Sequence, residues 1–87
     1  MPKRTDNNQA EIVRALRQVG ATVQCLHEVG KGCPDLVVGF RGVTYLLECK
    51  APGGKLTRWE DEWLTGWRGH AAIVHNPDEA LRAIGAV

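Results

Sequence analysis

The chain predicts an α/β fold in the order αβββαβα, and three observations carry that prediction. Two apolar, β-branched runs, Leu36-Val37-Val38-Gly39-Phe40 and Val43-Thr44-Tyr45-Leu46-Leu47, flank Arg41-Gly42 and read as a β-hairpin. Upstream, Ile12, Val13, Leu16 and Val19 recur at helical spacing, and Gly20 supplies the stop. Two later stretches open with helix N-terminal signals. Thr57-Arg58-Trp59-Glu60 has the spacing of a capping box, and Asn76-Pro77-Asp78-Glu79 offers an N-cap, Pro at N1 and Glu at N3.

In order along the chain, the first amphipathic helix is expected over residues 8–19. Glu11 lies on the side of Ala15 and Val19, beside the strongest apolar stripe, where it could reach the rim of a site on the sheet. As a first-turn acid it also suits the helix dipole. A strand follows over residues 21–27, with Val23 and Cys25 on one face. Glu28-Val29-Gly30-Lys31-Gly32-Cys33 is a connection whose glycines allow close backbone approach. After the hairpin, Ala51-Pro52-Gly53-Gly54-Lys55 ends the strand, and the capping box starts a helix running to about residue 67. Trp59, Trp63 and Trp67 recur at four-residue steps and form one stripe. Such a stripe usually packs into a core. Three indoles are a large volume for so small a core, so at least one is expected at a subunit interface or a nucleic-acid surface. A strand over residues 71–75 and a short helix complete the chain.

The hairpin has a chemical consequence. With Arg41-Gly42 as the loop, Phe40 pairs with Val43, and stepping outward sets Asp35 opposite Glu48. A symmetric four-residue loop leaves that register unchanged. Side chains alternate faces along a strand, so Asp35, Glu48 and Lys50 share one face while Leu36, Val38, Tyr45, Leu47 and Cys49 take the other. Opposed Cβ atoms lie roughly 4.5–5.5 Å apart, and like charges there cost up to about 1 kcal/mol. A hard divalent cation is the natural offset, because carboxylate oxygens are the ligands Mg²⁺ and Mn²⁺ prefer. Lys31 would stand near this pair, either as a phosphate contact or as a solvated loop charge.

At 87 residues the chain predicts one domain, residues 1–87, with a thin core. Hydrophobic residues at 44% and charged residues at 24% exclude a disordered or fibrous class. The sequence has no apolar run of membrane-spanning length, and Met1-Pro2-Lys3-Arg4 does not open a signal peptide, so the expected location is cytoplasmic. Cys25, Cys33 and Cys49 are irregularly spaced, which argues against a disulfide framework. Cys25, His27 and Cys33 form a partial zinc pattern without the CxxC pairs of a strong one. The preferred reading makes Cys25 and Cys49 small buried apolar residues.

Pro34-Asp35, then Glu48-Cys49-Lys50 after a short hairpin, with a preceding helical Glu11, resembles the PD-(D/E)XK nuclease superfamily. The segment Gly32-Cys33-Pro34-Asp35-Leu36-Val37-Val38-Gly39, and Leu56-Thr57 opening the next helix, resemble the virus-type replication-repair nuclease (VRR-NUC) domain of that superfamily, in its stand-alone phage or prophage form. The resemblance covers nearly the whole chain. It implies a restriction-endonuclease-like αβββαβ core, with a mixed sheet flanked by helices, plus a short C-terminal helix. It also implies Mg²⁺- or Mn²⁺-dependent hydrolysis of DNA phosphodiester bonds by a homodimer selective for branched or distorted DNA. On this resemblance Asp35, Glu48 and the backbone carbonyl of Cys49 become metal ligands, and Glu11 holds a second metal or its water. Lys50 stands by the attacking water, and Lys31, Lys55 and Arg58 are the candidate DNA contacts. Family members carry Gln on the helix after Leu-Thr. Here that position is Glu60, a possible site residue whose capping role is an alternative account.

The formal net charge is +1, and setting aside Glu11, Asp35, Glu48 and Lys50 as site residues leaves +3 on the remaining surface, a modest basic bias. Two rival readings remain. One is a DNA-junction-binding dimer with little cleavage activity, left open by Glu60, and the other is a zinc-stabilised interaction module on Cys25, His27 and Cys33.

Overall fold

A computed structural model describes the backbone of residues 4–87 and the side chains from residue 8 onward. The elements are α1 (Arg4–Gln18), β1 (Thr22–Cys25), β2 (Leu36–Phe40), β3 (Val43–Cys49), α2 (Arg58–Gly66), β4 (Ala71–Val74) and α3 (Pro77–Ala83). This is the expected order. Helix α1 begins earlier than the apolar periodicity suggests, and α2 stops at Gly66 because Trp67 takes an extended conformation, φ −78° and ψ 132°.

The four strands form one mixed sheet in the order β1-β2-β3-β4, with β1, β2 and β3 antiparallel and β4 parallel to β3. A parallel neighbour needs a crossover, and α2 lies in that connection. The hairpin register is the one the loop implies: Phe40 pairs with Val43 and Leu36 with Leu47. Arg41 and Gly42 both have positive φ, 51° and 82°, which is the type I′ turn that matches strand twist. Arginine is an unusual first residue for it, and its guanidinium lies over the Phe40 ring, 4.8 Å from the centroid.

Helices α1 and α3 pack together, α1 reaching β1 and β3 and α3 reaching β4. Their residues Ile12, Val13, Leu16, Ala80 and Ile84 close over Leu36, Val38, Leu47 and Cys49 from the inner strands β2 and β3 and Val74 from β4. Helix α2 is different: it buries no residue. Trp59 is 65% exposed and Trp67 44%, and Trp63 stacks on Trp67 with ring centroids 4.6 Å apart. The tryptophan stripe is therefore not core. Cys49 is buried as expected, whereas Cys25 is exposed, because β1 is an edge strand. Among the described residues no helix is long and apolar enough to cross a membrane.

Gly32 fixes the approach of the β1–β2 connection to α2. Its φ is +85°, and a Cβ there would collide with the Trp59 carbonyl. Gly32→Ala is therefore expected to lower stability by about 2 kcal/mol, from left-handed strain plus the clash. A urea midpoint that falls with unchanged slope would check this.

Candidate active site

Continued one pair beyond Leu36 and Leu47, the hairpin register brings Asp35 against Glu48. Asp35 stands at the mouth of β2, where its backbone carbonyl accepts from the Leu26 amide at 2.7 Å. Its Oδ2 accepts from the Cys49 amide, also at 2.7 Å, which locks the carboxylate across the end of β3. Glu48 is 2% exposed, and its Oε1 has no hydrogen-bond partner among the described residues. Burying an unpaired carboxylate oxygen is costly. Burial first, then the Asp35 charge, pushes the Glu48 carboxyl up to about 8. Burial also raises Asp35, against the pull of the Cys49 amide. Two like charges this close retain a proton as a pair.

Lys50 follows on the same face. Its Nζ lies 3.8 Å from Glu48 Oε2 and 2.7 Å from Glu60 Oε1. Burial disfavours its charge, but the Glu60 hydrogen bond and the surrounding carboxylates outweigh that and hold the ammonium above its ordinary value. Glu60 in turn falls below the usual carboxylate range. Burial raises it, and the bonds from Lys50 and from the Thr57 amide overcome that effect. The expected capping box is present: Thr57 Oγ1 accepts from the Glu60 amide at 3.2 Å, and Glu60 Oε1 accepts from the Thr57 amide at 2.9 Å. A single oxygen, Glu60 Oε1, thus caps α2 and grips Lys50.

Asp35, Glu48, Cys49, Lys50 and Glu60 line one open cleft of about 1120 Å³. The remaining candidates fall elsewhere. Glu11 is exposed and does not line the cleft, while its neighbours Ile12, Val13 and Leu16 on α1 enter the core. Lys31, Lys55 and Arg58 are exposed and outside the cleft, and Arg58 is paired with Glu62 at 3.1 Å. From α1 come Asn8, whose Nδ2 donates to the Lys50 carbonyl at 3.1 Å, and the cleft-lining Arg14 and Arg17. Sequence reading passed over Asn8, because an amide in a first helical turn carries no signal until the fold brings it to the end of β3.

The donors present suit a hard cation. Asp35 and Glu48 supply two adjacent carboxylates, one with an orphaned buried oxygen, and the Cys49 carbonyl lies between Glu48 and Lys50 in the chain. Mg²⁺ is commonly held by one or two carboxylates with water and substrate phosphate completing its shell. Among the described residues no three His, Cys, Asp or Glu side chains converge as a metal site. Cys25 and His27 line the cleft, Cys33 does not, and the three do not form a cluster.

A solved structure described as a VRR_NUC domain superposes on this chain with a TM-score of 0.72 at 22% sequence identity, covering 95% of this chain and 96% of that one. The chain has the fold of that domain over essentially its full length. No family model matches the sequence, and no curated protein matches it.

The raised Glu48 carboxyl sets a pH dependence. Its folded pKa, about 8, stands above its unfolded value near 4.5, so the folded state keeps a proton that the unfolded state releases. Stability of the metal-free protein is then lost as pH rises from about 4.5 to 8, and the cost is absent in acid. Glu48→Gln should stabilise the protein in EDTA at pH 8 by on the order of 1–2 kcal/mol and leave it unchanged at pH 4. Denaturant melts of both proteins at the two pH values measure this, and equal stability at pH 8 would contradict it.

Proposed function

We propose that this chain is a Mg²⁺- or Mn²⁺-dependent endonuclease that hydrolyses DNA phosphodiester bonds, acting as a homodimer on branched or distorted DNA. The observation that carries the reading is buried Glu48 opposed by half-buried Asp35, with Lys50 two residues on, set at the strand ends of a VRR-NUC-like fold. In this reading Asp35, Glu48 and the Cys49 carbonyl hold the cation. When bound, the cation would act as a Lewis acid towards the phosphodiester and lower the pKa of a water. Lys50, kept protonated beside Glu60, donates to the attacking water or to a non-bridging phosphate oxygen, so it stabilises charge that builds on phosphorus. Water adds to phosphorus and gives up a proton to solvent, the P–O bond to the leaving nucleotide breaks, and that leaving oxygen takes up a proton from solvent. Asn8 fixes the backbone of Lys50, and Glu60 fixes its ammonium.

One observation favours the binding-only reading. The nearest carboxylate to Lys50 is Glu60, at 2.7 Å, rather than Glu48, at 3.8 Å, so the lysine is held by the helix cap. A cleavage assay on linear, flap and four-way DNA with Mg²⁺, Mn²⁺ or EDTA separates the two readings. Metal-dependent cutting is expected, and Lys50→Ala should abolish it, with a loss of at least about 100-fold for a group stabilising transition-state charge. Near wild-type turnover in that variant would remove the assignment.

The homodimer is supported by the aromatic face of α2, where Trp59 and Trp67 remain exposed beside the Trp63 stack. Sedimentation at tens of micromolar should show a dimer that Trp59→Ala weakens; a monomer would refute that part of the proposal.

A further inference from the structure

The cleft that holds the carboxylates does not end with them. Its α1 wall is built from Gln9, Ala10, Val13, Arg14, Arg17 and Gln18. Arg14, Arg17 and Gln18 are spaced i, i+3 and i+4, so they form one polar row along the helix. Arg17 is anchored, its Nη2 donating to the Val23 carbonyl at 3.1 Å on the edge strand β1. A guanidinium has five N–H donors, so that bond leaves most of its fork for another acceptor. Among the described residues neither Arg14 nor Arg17 takes part in an ion pair.

The charge in the cleft is therefore divided. At one end Glu48 and Glu60 flank Lys50, with Asp35 on the same lining; at the other, two arginines face the opening with neutral glutamines beside them. Once the carboxylate pair is neutralised and Lys50 is matched by Glu60, the arginines are the net charge the cleft presents. Planar guanidinium forks suit phosphate oxygens, which they can bind in bidentate fashion.

We infer that Arg14 and Arg17 form a phosphate-binding subsite that guides one DNA strand along α1, away from the carboxylates. The inference rests on the nuclease reading for the direction of the strand. Asn8 meets the Lys50 backbone, and at 1.5 Å per residue Arg14 and Arg17 lie roughly 9 and 13.5 Å further along the helix axis. With phosphates advancing 3.4 Å per nucleotide along a duplex axis, the arginines meet the strand roughly three to four nucleotides from the reacting bond. This subsite is separate from Lys31, Lys55 and Arg58, none of which lines the cleft.

The test is the salt dependence of DNA binding, measured by fluorescence anisotropy with a labelled duplex and a labelled four-way junction. KCl is varied in EDTA and, in parallel, in Ca²⁺. For the double variant R14Q/R17Q the slope of log K against log salt should fall by roughly 1.8, and for Arg14→Gln alone by about 0.9. Among the described residues the Arg14 side chain makes no hydrogen bond, so the single variant tests the subsite without disturbing the anchor on β1. Arg41→Gln, at the far hairpin turn, should leave the slope unchanged. With Mg²⁺, the double variant should raise KM at least about tenfold while kcat changes little, as loss of phosphate anchoring predicts.

An unchanged slope in R14Q/R17Q, with wild type still binding and cutting, overturns the subsite and leaves the nuclease reading standing. Reduced slopes in a protein that cuts nothing with any metal support the subsite and remove the nuclease. Absence of DNA binding by wild type in both EDTA and Ca²⁺ overturns both.

Discussion

The opposition of two carboxylates across the end of one β-hairpin organises this molecule. A sheet gains nothing from placing Asp35 against Glu48, and burial makes the contact worse, since Glu48 is shut from solvent with an oxygen left unpaired. The surroundings hold the arrangement in place. The Cys49 amide fastens Asp35, Leu26 fixes its backbone, and the type I′ turn at the far end allows the strands only one register. A slip of one residue would move Glu48 and Lys50 into the apolar layer and Cys49 out of it. The apolar core therefore enforces a juxtaposition that electrostatics opposes. Such tension between packing and charge marks sites where chemistry is done.

Around that pair the protein uses few elements. Asp35, Glu48, Cys49, Lys50 and Glu60 fall within one stretch of chain, while α1 and α3 mainly keep the sheet covered. The exceptions come from α1, where Asn8 braces the strand end and Arg14 and Arg17 extend the cleft. The cleft thus pairs an acidic end, suited to a cation, with a basic wall suited to phosphate.

What could be read from the chain was what depends on local rules. Strand alternation and a symmetric loop were enough to place Asp35, Glu48 and Lys50 together, and both helix caps are local hydrogen-bond patterns, visible at Thr57-Glu60 and at Asn76-Glu79. The rotation of α1 about its axis was not readable. Its apolar stripe is broad, and the set of Ile12, Val13, Leu16 and Val19 leaves room for several orientations. Packing against α3 selects the one that turns Glu11 to solvent. Cys25 became exposed for a similar reason, since strand order rather than composition makes β1 an edge. The tryptophans stayed outside because α2 spans a crossover without sinking into the core.

The double use of Glu60 Oε1 has a dynamic consequence. Helix α2 has no buried residue to hold it, so its first turn depends on the capping box and on the contact with Gly32. Elements with so little burial open locally far more often than the whole domain unfolds. Each opening of that turn withdraws the oxygen that holds the Lys50 ammonium, 2.7 Å away. Fraying of a surface helix and release of a lysine in the cleft are therefore one event. The share of time that Lys50 stands in position is then set by the local stability of α2, a quantity that amide hydrogen exchange reads at Glu60 and Asp61.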